Sequence, residues 1–461
     1  MFLERVHSPG LAHISYIIGD GGHAAVIDPR RDCRVYVDIA RREGARISHI
    51  FETHRNEDYA VGSLDLARLT GADIHHGTAL PFDYGNGVSD GDAFALGSLR
   101  LGVLTTPGHT DESISITVTD LTQGEDPFAV FTGDALFVGD VGRADFFPDR
   151  PEEVAGLLYG SLFDKLLPLG DHVLVYPAHG AGSVCGGRIS AREFSTIGYE
   201  RRHNHALQMT DRDEFIAFKV AEHHYFPPYF RKMEEYNLKG APPMPALPEP
   251  CACSADEFAA NMERGMIVVD VRSPEAFGGA HVPRSLAIPL DMVPRFAGWL
   301  LPYETPVGLV VEHAHEVHTA VQYLIRIGYD DIVGCLEEGM HDWETGGREF
   351  EGVPHVYIGE IKRRMEADEP FTLLDVRSEE EFEEGHLRGA VNIYLGKLPD
   401  RLDDVPPARP ITCFCGTGHR AIIAASVLKR SGFDRVENCL GSMAACRATA
   451  CPLESGCRSS R

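Results

Sequence analysis

Four short stretches place histidines and acids directly behind apolar runs: Thr53-His54-Arg55-Asn56-Glu57-Asp58-Tyr59, Thr106-Pro107-Gly108-His109-Thr110, Phe131-Thr132-Gly133-Asp134-Ala135-Leu136-Phe137 and Tyr176-Pro177-Ala178-His179-Gly180. Imidazole and carboxylate groups ligate metal ions. One such loop means little, because a histidine behind a strand is more often a hydrogen-bonded core or surface residue. Four in series point to a shared centre. A second chemistry lies near the C-terminus, where Cys413-Phe414-Cys415-Gly416-Thr417-Gly418-His419-Arg420-Ala421 runs from an apolar strand into a helix. The thiolate is the nucleophilic form of cysteine, and backbone N–H groups converging at a helix N-terminus, with a fixed arginine, favour it. Cys185 stands in the glycine-rich stretch Gly180-Ala181-Gly182-Ser183-Val184-Cys185-Gly186-Gly187. That composition suits a loop lining a site, where Cys185 would be a redox thiol; a buried inert thiol is the equal alternative.

These residues need elements to hold them. Short apolar strands are expected over His13 to Ile18, Ala24 to Ile27, Ile47 to Phe51, Leu99 to Leu104, Phe128 to Phe131 and Val173 to Val175, with helix formers over Ala191 to Met233. Strands ending at histidine-bearing loops suggest a β-sandwich flanked by helices, with a site at the strand ends. The C-terminal half is duplicated. Val269-Asp270-Val271-Arg272-Ser273 with Phe277 and His281 returns as Leu374-Asp375-Val376-Arg377-Ser378 with Phe382 and His386. Each copy alternates strands with helices, such as Ala320 to Ile327 and Ala421 to Lys429, which indicates a parallel sheet covered by helices. The expected division is a first domain over 1–240, a proline-rich linker over 241–254, and two copies over 255–352 and 353–461.

With 461 residues the chain is long enough for two to four domains, and the repeat makes it three. Its 43 Lys and Arg against 69 Asp and Glu give a formal charge of -26, which repels nucleic acid and anionic membranes. Eleven cysteines, without the spacing of a disulfide framework, read as reduced thiols and favour the cytoplasm. The N-terminus lacks the basic and apolar regions of a signal peptide, and no run of about 18 apolar residues is present to span a membrane.

The four loops resemble the metallo-β-lactamase superfamily, whose motifs run H-x-H-x-D-H, G-H-T, G-D and a late His. The resemblance covers residues 1–240 and implies an αββα sandwich. Here the first motif reads His54-Arg55-Asn56-Glu57-Asp58-Tyr59, so Asn56 and Tyr59 replace two histidines that complete a two-metal site. A normal dinuclear centre is therefore not expected. The remaining His54, His109 and Asp134 match the two-histidine, one-carboxylate set of non-haem Fe(II). They also match the ligands of the persulfide dioxygenases of this superfamily, which hold one Fe(2+). By the same resemblance Asp58 and His179 orient ligands or water, Tyr176 turns its phenol toward the metal, and Arg143 in Val141-Gly142-Arg143-Ala144-Asp145 clamps the substrate's carboxylate. A single-zinc hydrolase of the glyoxalase type and a decayed, metal-free scaffold stay open.

The duplicated unit resembles the rhodanese domain, and Cys415 to Arg420 fits its loop C-x-x-G-x-R. The resemblance implies a persulfide on Cys415, cradled by Gly416, Thr417, Gly418, His419 and Arg420. Cys413 reads as a core thiol. The first copy has Val310-Val311-Glu312-His313-Ala314-His315-Glu316-Val317-His318 instead, without Cys or Arg, so it is expected to be silent. The tail thiols Cys446, Cys451 and Cys457 carry no zinc-like pairing. Together the resemblances imply a persulfide dioxygenase fused to a silent and an active rhodanese domain. The substrates implied are a low-molecular-weight thiol persulfide and dioxygen, with sulfite and thiosulfate exchanged through Cys415. A zinc thioester hydrolase joined to a sulfurtransferase, and a sulfur carrier with an inert first unit, are the competing readings. Exposed sheet edges leave a homo-oligomer open.

Overall fold

Alternation along the early strands decides the architecture, because successive side chains of a strand face opposite ways. Tyr16 and Ile18 point into a core shared with Leu101, Val103, Ile116 and Phe131. Ile17, between them, joins Ala24, Val26, Tyr36 and Ile39 on the other face. The computed structural model describes residues 1–336, 338–406 and 410–455; Cys457 lies outside them.

Two compact units result, Met1–Leu247 with Ile325–Gly328, and Pro248–Leu324 with Tyr329–Arg461. In the first, β1 (Phe2–Ser8), β2 (His13–Asp20), β3 (His23–Ile27), β4 (Arg46–Phe51), β5 (Asp73–Gly77) and β6 (Asn86–Val88) form one sheet in that order. A second sheet holds β7 (Ala93–Leu96), β8 (Leu99–Thr105), β9 (Ile114–Asp120), β10 (Ala129–Gly133), β11 (Leu174–Pro177) and β12 (Ser195–Thr196). The two inner faces make the central core. Helices Arg34–Arg42 and Ser63–Thr70 cover the first sheet, and Pro151–Gly160 and Arg212–Val220 the second. This is the expected αββα sandwich.

The second unit repeats one design twice. Its first sheet runs in the order Cys251–Cys253, Ile332–Leu336, Val307–Val310, Ile267–Asp270, Leu286–Ala287. The second runs His355–Val356, Val436–Cys439, Ile411–Phe414, Thr372–Asp375, Val391–Asn392. Every pairing in both is parallel. The repeated Asp-x-Arg segment is structural. Asp270 ends its strand and takes Arg272 through Nε and Nη2, and Asp375 takes Arg377 in the same way. Each pair is buried, which needs the mutual neutralisation that these contacts supply. The end of the expected linker, Cys251–Cys253, is itself an edge strand of the first sheet.

Candidate functional site

Each of the four histidine or acid loops leaves the C-terminal end of a strand: β4, β8, β10 and β11. Backbone hydrogen bonds lace the loops together, from Ile114 N–H to the Thr53 carbonyl at 2.7 Å and from Ala178 N–H to the Gly133 carbonyl at 3.0 Å. Two glycines allow the close approach. At Gly133, φ is +53° and a Cβ would stand 2.6 Å from Thr53 Oγ1. At Gly108, φ is +135° and a Cβ would lie 2.4 Å from the backbone of Leu158.

The result is a buried convergence of donor atoms. His109 Nε2 lies 3.5 Å and His54 Nε2 3.8 Å from Asp134 Oδ2, and none of these three atoms has a hydrogen-bond partner. Their other ring nitrogens are engaged. His109 Nδ1 donates to the Arg143 carbonyl at 3.0 Å, and His54 Nδ1 to Thr53 Oγ1 at 2.9 Å. Thr53 Oγ1 must accept there, since its own proton goes to Asp28 Oδ2 at 2.8 Å. Both imidazoles are thereby fixed with Nε2 turned inward, the orientation of a metal ligand. Burial pushes His54 down to about 4, which keeps it neutral. At His109 burial opposes charge, but Glu57 and Asp134 outweigh it and raise the ring to about 9. Orphaned buried donors of this kind fit a metal ion.

His179 links the cluster to Asp58. Its Nδ1 donates to Asp134 Oδ1 at 2.7 Å and its Nε2 lies 2.9 Å from Asp58 Oδ2. Two further residues enter the site. Glu57, which sequence reasoning did not single out, is buried with Oε1 3.2 Å from His109 Nε2. Cys185 is buried as well, its Sγ donating to Glu57 Oε1 at 3.4 Å, and burial with Asp58 and Glu57 holds its thiol well above the ordinary range. The only earlier signal for Glu57 was its place inside the first motif, where strand-end loops turn inward.

Arg143 does not stand free as an anion clamp. Its guanidinium takes Asp145 through Nε at 2.6 Å and Nη2 at 2.8 Å and lies between the rings of Phe146 and Phe226. Through Nη1 it also donates to the Val184 carbonyl at 3.4 Å, beside Cys185. Tyr176 packs with Tyr16, Phe131 and Phe194, and among the described residues no ring contact joins it to His54, His109 or His179. Tyr59 fills space instead of ligating, its ring 3.9 Å from that of His13 and its hydroxyl 3.5 Å from the Asp28 carbonyl.

In the second unit Cys415 follows the strand Ile411–Phe414 and precedes the helix His419–Arg430. Gly418 N–H donates to Cys415 Sγ at 3.1 Å, and Gly418 is the helix cap at φ +111°. Thr417 Oγ1 and His419 Nδ1 pair at 3.0 Å, and Arg420 makes a two-pronged pair with Glu381. Burial, with Cys415 beside it, pushes the Cys413 thiol up, as suits a core thiol. In the other copy Glu316, the first residue of the helix Glu316–Arg326, accepts the N–H groups of Glu312 and His313 through Oε2, each at 3.0 Å, so a carboxylate engages the loop that corresponds to the Cys415 loop.

Known proteins bear on this architecture. Residues 9–179 match the metallo-beta-lactamase superfamily, and residues 254–345 and 358–449 each match the rhodanese-like domain. The crystal structure of a metallo-beta-lactamase from Staphylococcus aureus subsp. aureus COL is 32% identical, covers 73% of this chain and 98% of its own, and superposes with a TM-score of 0.65. The mitochondrial persulfide dioxygenase ETHE1 of Homo sapiens is 28% identical over 199 residues, 39% of this chain and 68% of that one. A hydroxyacylglutathione hydrolase of Polaromonas sp. is 31% identical over 188 residues, 39% of this chain and 66% of its own. No helix among the described residues is long and apolar enough to cross a membrane. A sandwich whose strand-end loops gather metal donors, joined to two parallel-sheet repeats, places the chain in the metallo-β-lactamase superfamily, with two rhodanese-like domains following that fold in one polypeptide.

Proposed function

We propose that the chain is an enzyme of sulfur metabolism that oxidises a low-molecular-weight thiol persulfide with dioxygen and passes sulfane sulfur through Cys415. The observation that carries the reading is the convergence of His54 Nε2, His109 Nε2 and Asp134 Oδ2, three unpartnered buried atoms of the ligand set suited to Fe(2+). The likeness to persulfide dioxygenases and the rhodanese-like domains support sulfur metabolism as the setting. Iron held by His54, His109 and Asp134 would supply the redox chemistry that joins persulfide oxidation to dioxygen reduction. The protein's part is to hold the imidazoles through Thr53 and the Arg143 carbonyl, and to keep bulk water out by burial.

The overall reaction takes R-S-SH, dioxygen and water to R-SH, sulfite and two protons. At Cys415 a persulfide anion loses its terminal sulfur to sulfite, which leaves the thiolate and releases thiosulfate. The Gly418 N–H donates to the Cys415 Sγ, which leaves that exchange as the thiolate, and Arg420, anchored by Glu381, supplies the nearby positive charge.

Metal analysis of anaerobically purified protein, with oxygen uptake on glutathione persulfide, tests the reading. Iron near one per chain and uptake abolished in His109→Ala are expected. Zinc without oxygen uptake, together with thioester cleavage, would replace it with the hydrolase reading. Cys415→Ser should lose thiosulfate exchange and keep oxygen uptake; exchange that persists would remove the second step.

A further inference from the structure

A cavity of about 380 Å³ opens in the second unit, at the opposite end of the helix His419–Arg430 from Cys415. Its walls carry the apolar side chains of Met262, Met266 and Trp343 and two guanidiniums, those of Arg284 and Arg430. Met266 and Trp343 belong to the buried core of the first copy, and the Trp343 indole is held by its own donor, Nε1–H to the Glu349 carbonyl at 2.7 Å. Arg430 reaches across from the second copy and donates through Nη1 to the Arg284 carbonyl. Two cations are thus brought together without an acid between them. Among the described residues no carboxylate pairs with either, the exposed Glu263 on the same wall included, whereas the neighbouring Lys429 pairs with Glu351 at 3.3 Å. Desolvation, then the Arg284 charge, lowers the Arg430 guanidinium from its ordinary range.

The backbone adds a second, independent observation. Arg284 holds a φ of +64°, the left-handed region that a side chain enters only at a cost. The repeat shows what the turn alone requires. At the matching place in the second copy stands Gly389, at φ +78°, and the two turns close alike, Ser285 N–H to the Val282 carbonyl at 3.0 Å and Ala390 N–H to the Leu387 carbonyl at 3.1 Å. Where glycine serves the fold, arginine adds only its side chain, and that side chain lines the cavity.

We infer that this cavity binds a small organic phosphate monoester with a flat ring, of nucleoside monophosphate size, its phosphate on Arg284 and Arg430 and its ring against Met262, Met266 and Trp343. Two unit cations call for a dianion, and a phosphate monoester carries close to two negative charges near neutral pH, where a carboxylate carries one. The volume lies in the range of small-molecule sites and exceeds what an inorganic anion fills. Apolar walls suit an organic body, and Glu263 is placed to accept a hydroxyl or amino proton from it. The inference is independent of the proposed function, since neither the metal donors nor Cys415 line the cavity.

The test titrates the full chain with adenosine 5′-monophosphate in phosphate-free buffer, by calorimetry and by Trp343 fluorescence in a Trp299→Phe background, with adenosine and inorganic phosphate as comparison probes. Saturable binding of about one nucleotide per chain is expected, with adenosine and phosphate each at least about 10-fold weaker. Arg430→Gln should weaken the nucleotide on the order of 10-fold, as loss of a charged hydrogen bond does. Arg284→Gly should weaken it as much while keeping or raising the unfolding temperature, because it relieves the left-handed φ and leaves the carbonyl that Arg430 bonds. Circular dichroism reports folding of both variants. No saturable nucleotide binding, binding that survives both substitutions, or adenosine binding as tightly as the nucleotide would overturn the site. Inorganic phosphate binding as tightly as the nucleotide would overturn the organic ligand.

Discussion

Glu381 holds Arg420 in a two-pronged grip, Nη1 to Oε2 at 2.6 Å and Nη2 to Oε1 at 2.7 Å. Glu381 is itself pinned, since it sits third in the helix Glu379–Glu384 and accepts the Ser378 N–H in a capping box. The arginine of the Cys415 loop is therefore oriented, and half neutralised, before any anion arrives.

Removing this anchor should slow sulfur transfer. Glu381→Gln leaves Arg420 charged and loosely placed, and thiosulfate-to-cyanide transfer is expected to fall on the order of 10- to 100-fold, as misplacement of a reacting-site group does. Burial opposes the Glu381 charge, but Arg420 outweighs it and brings the carboxyl down to about 2. A depressed folded-state value contributes stability above the ordinary glutamate range and loses it as pH falls toward about 2. Urea unfolding at neutral and acid pH should show the variant with the weaker acid dependence.

Thr53 acts on the metal through His54. Thr53→Val deletes the oxygen that accepts the Nδ1 proton, and metal affinity should drop roughly 10- to 100-fold. Competition with a chromophoric chelator measures it, and Thr53→Ser should restore most of the loss.

Cation uptake should release protons. His109 is raised to about 9 by Glu57 and Asp134 against its burial, so near neutral pH it carries a proton that a cation must displace; His54, lowered to about 4, carries none. Affinity should rise about tenfold per pH unit for each proton released. Calorimetry in buffers of different ionisation enthalpy counts them.

Gly133→Ala should destabilise the first unit by about 1–3 kcal/mol, since it puts a side chain at φ +53° and a Cβ against Thr53 Oγ1. Chemical denaturation gives the value, and metal binding should weaken with it because Asp134 is the next residue.

Much of this was legible in the chain order. The loops bearing His54, His109, Asp134 and His179 stood out because each follows an apolar strand, and strands of a sandwich end together; the choice of His54, His109 and Asp134 as ligands is what the resemblance to persulfide dioxygenases implies. Cys415 was legible because nucleophile, glycines and arginine lie within one turn between strand and helix. The duplication was visible in Asp270 and Arg272 against Asp375 and Arg377, and both copies fold with the same strand order. The expectation that the first copy's loop is silent rests on its missing cysteine, while the hold of Glu316 on the Glu312 and His313 N–H groups needed coordinates.

What only the folded chain decided is who meets whom. Glu57 and Cys185 are 128 residues apart, and no local pattern joins them; the loops after β4 and β11 do. Arg143 was expected to clamp an anion, yet Asp145 already holds it, and the residue that fixes Arg420, Glu381, lies 39 positions away in the chain. Tyr176 was expected at the metal, but its strand position sends it toward Tyr16, Phe131 and Phe194. Residue type and spacing set which groups are able to react, because donor chemistry and strand-end position are local properties. Packing sets which of them remain available, because a buried charge must be neutralised by whatever the tertiary fold puts beside it.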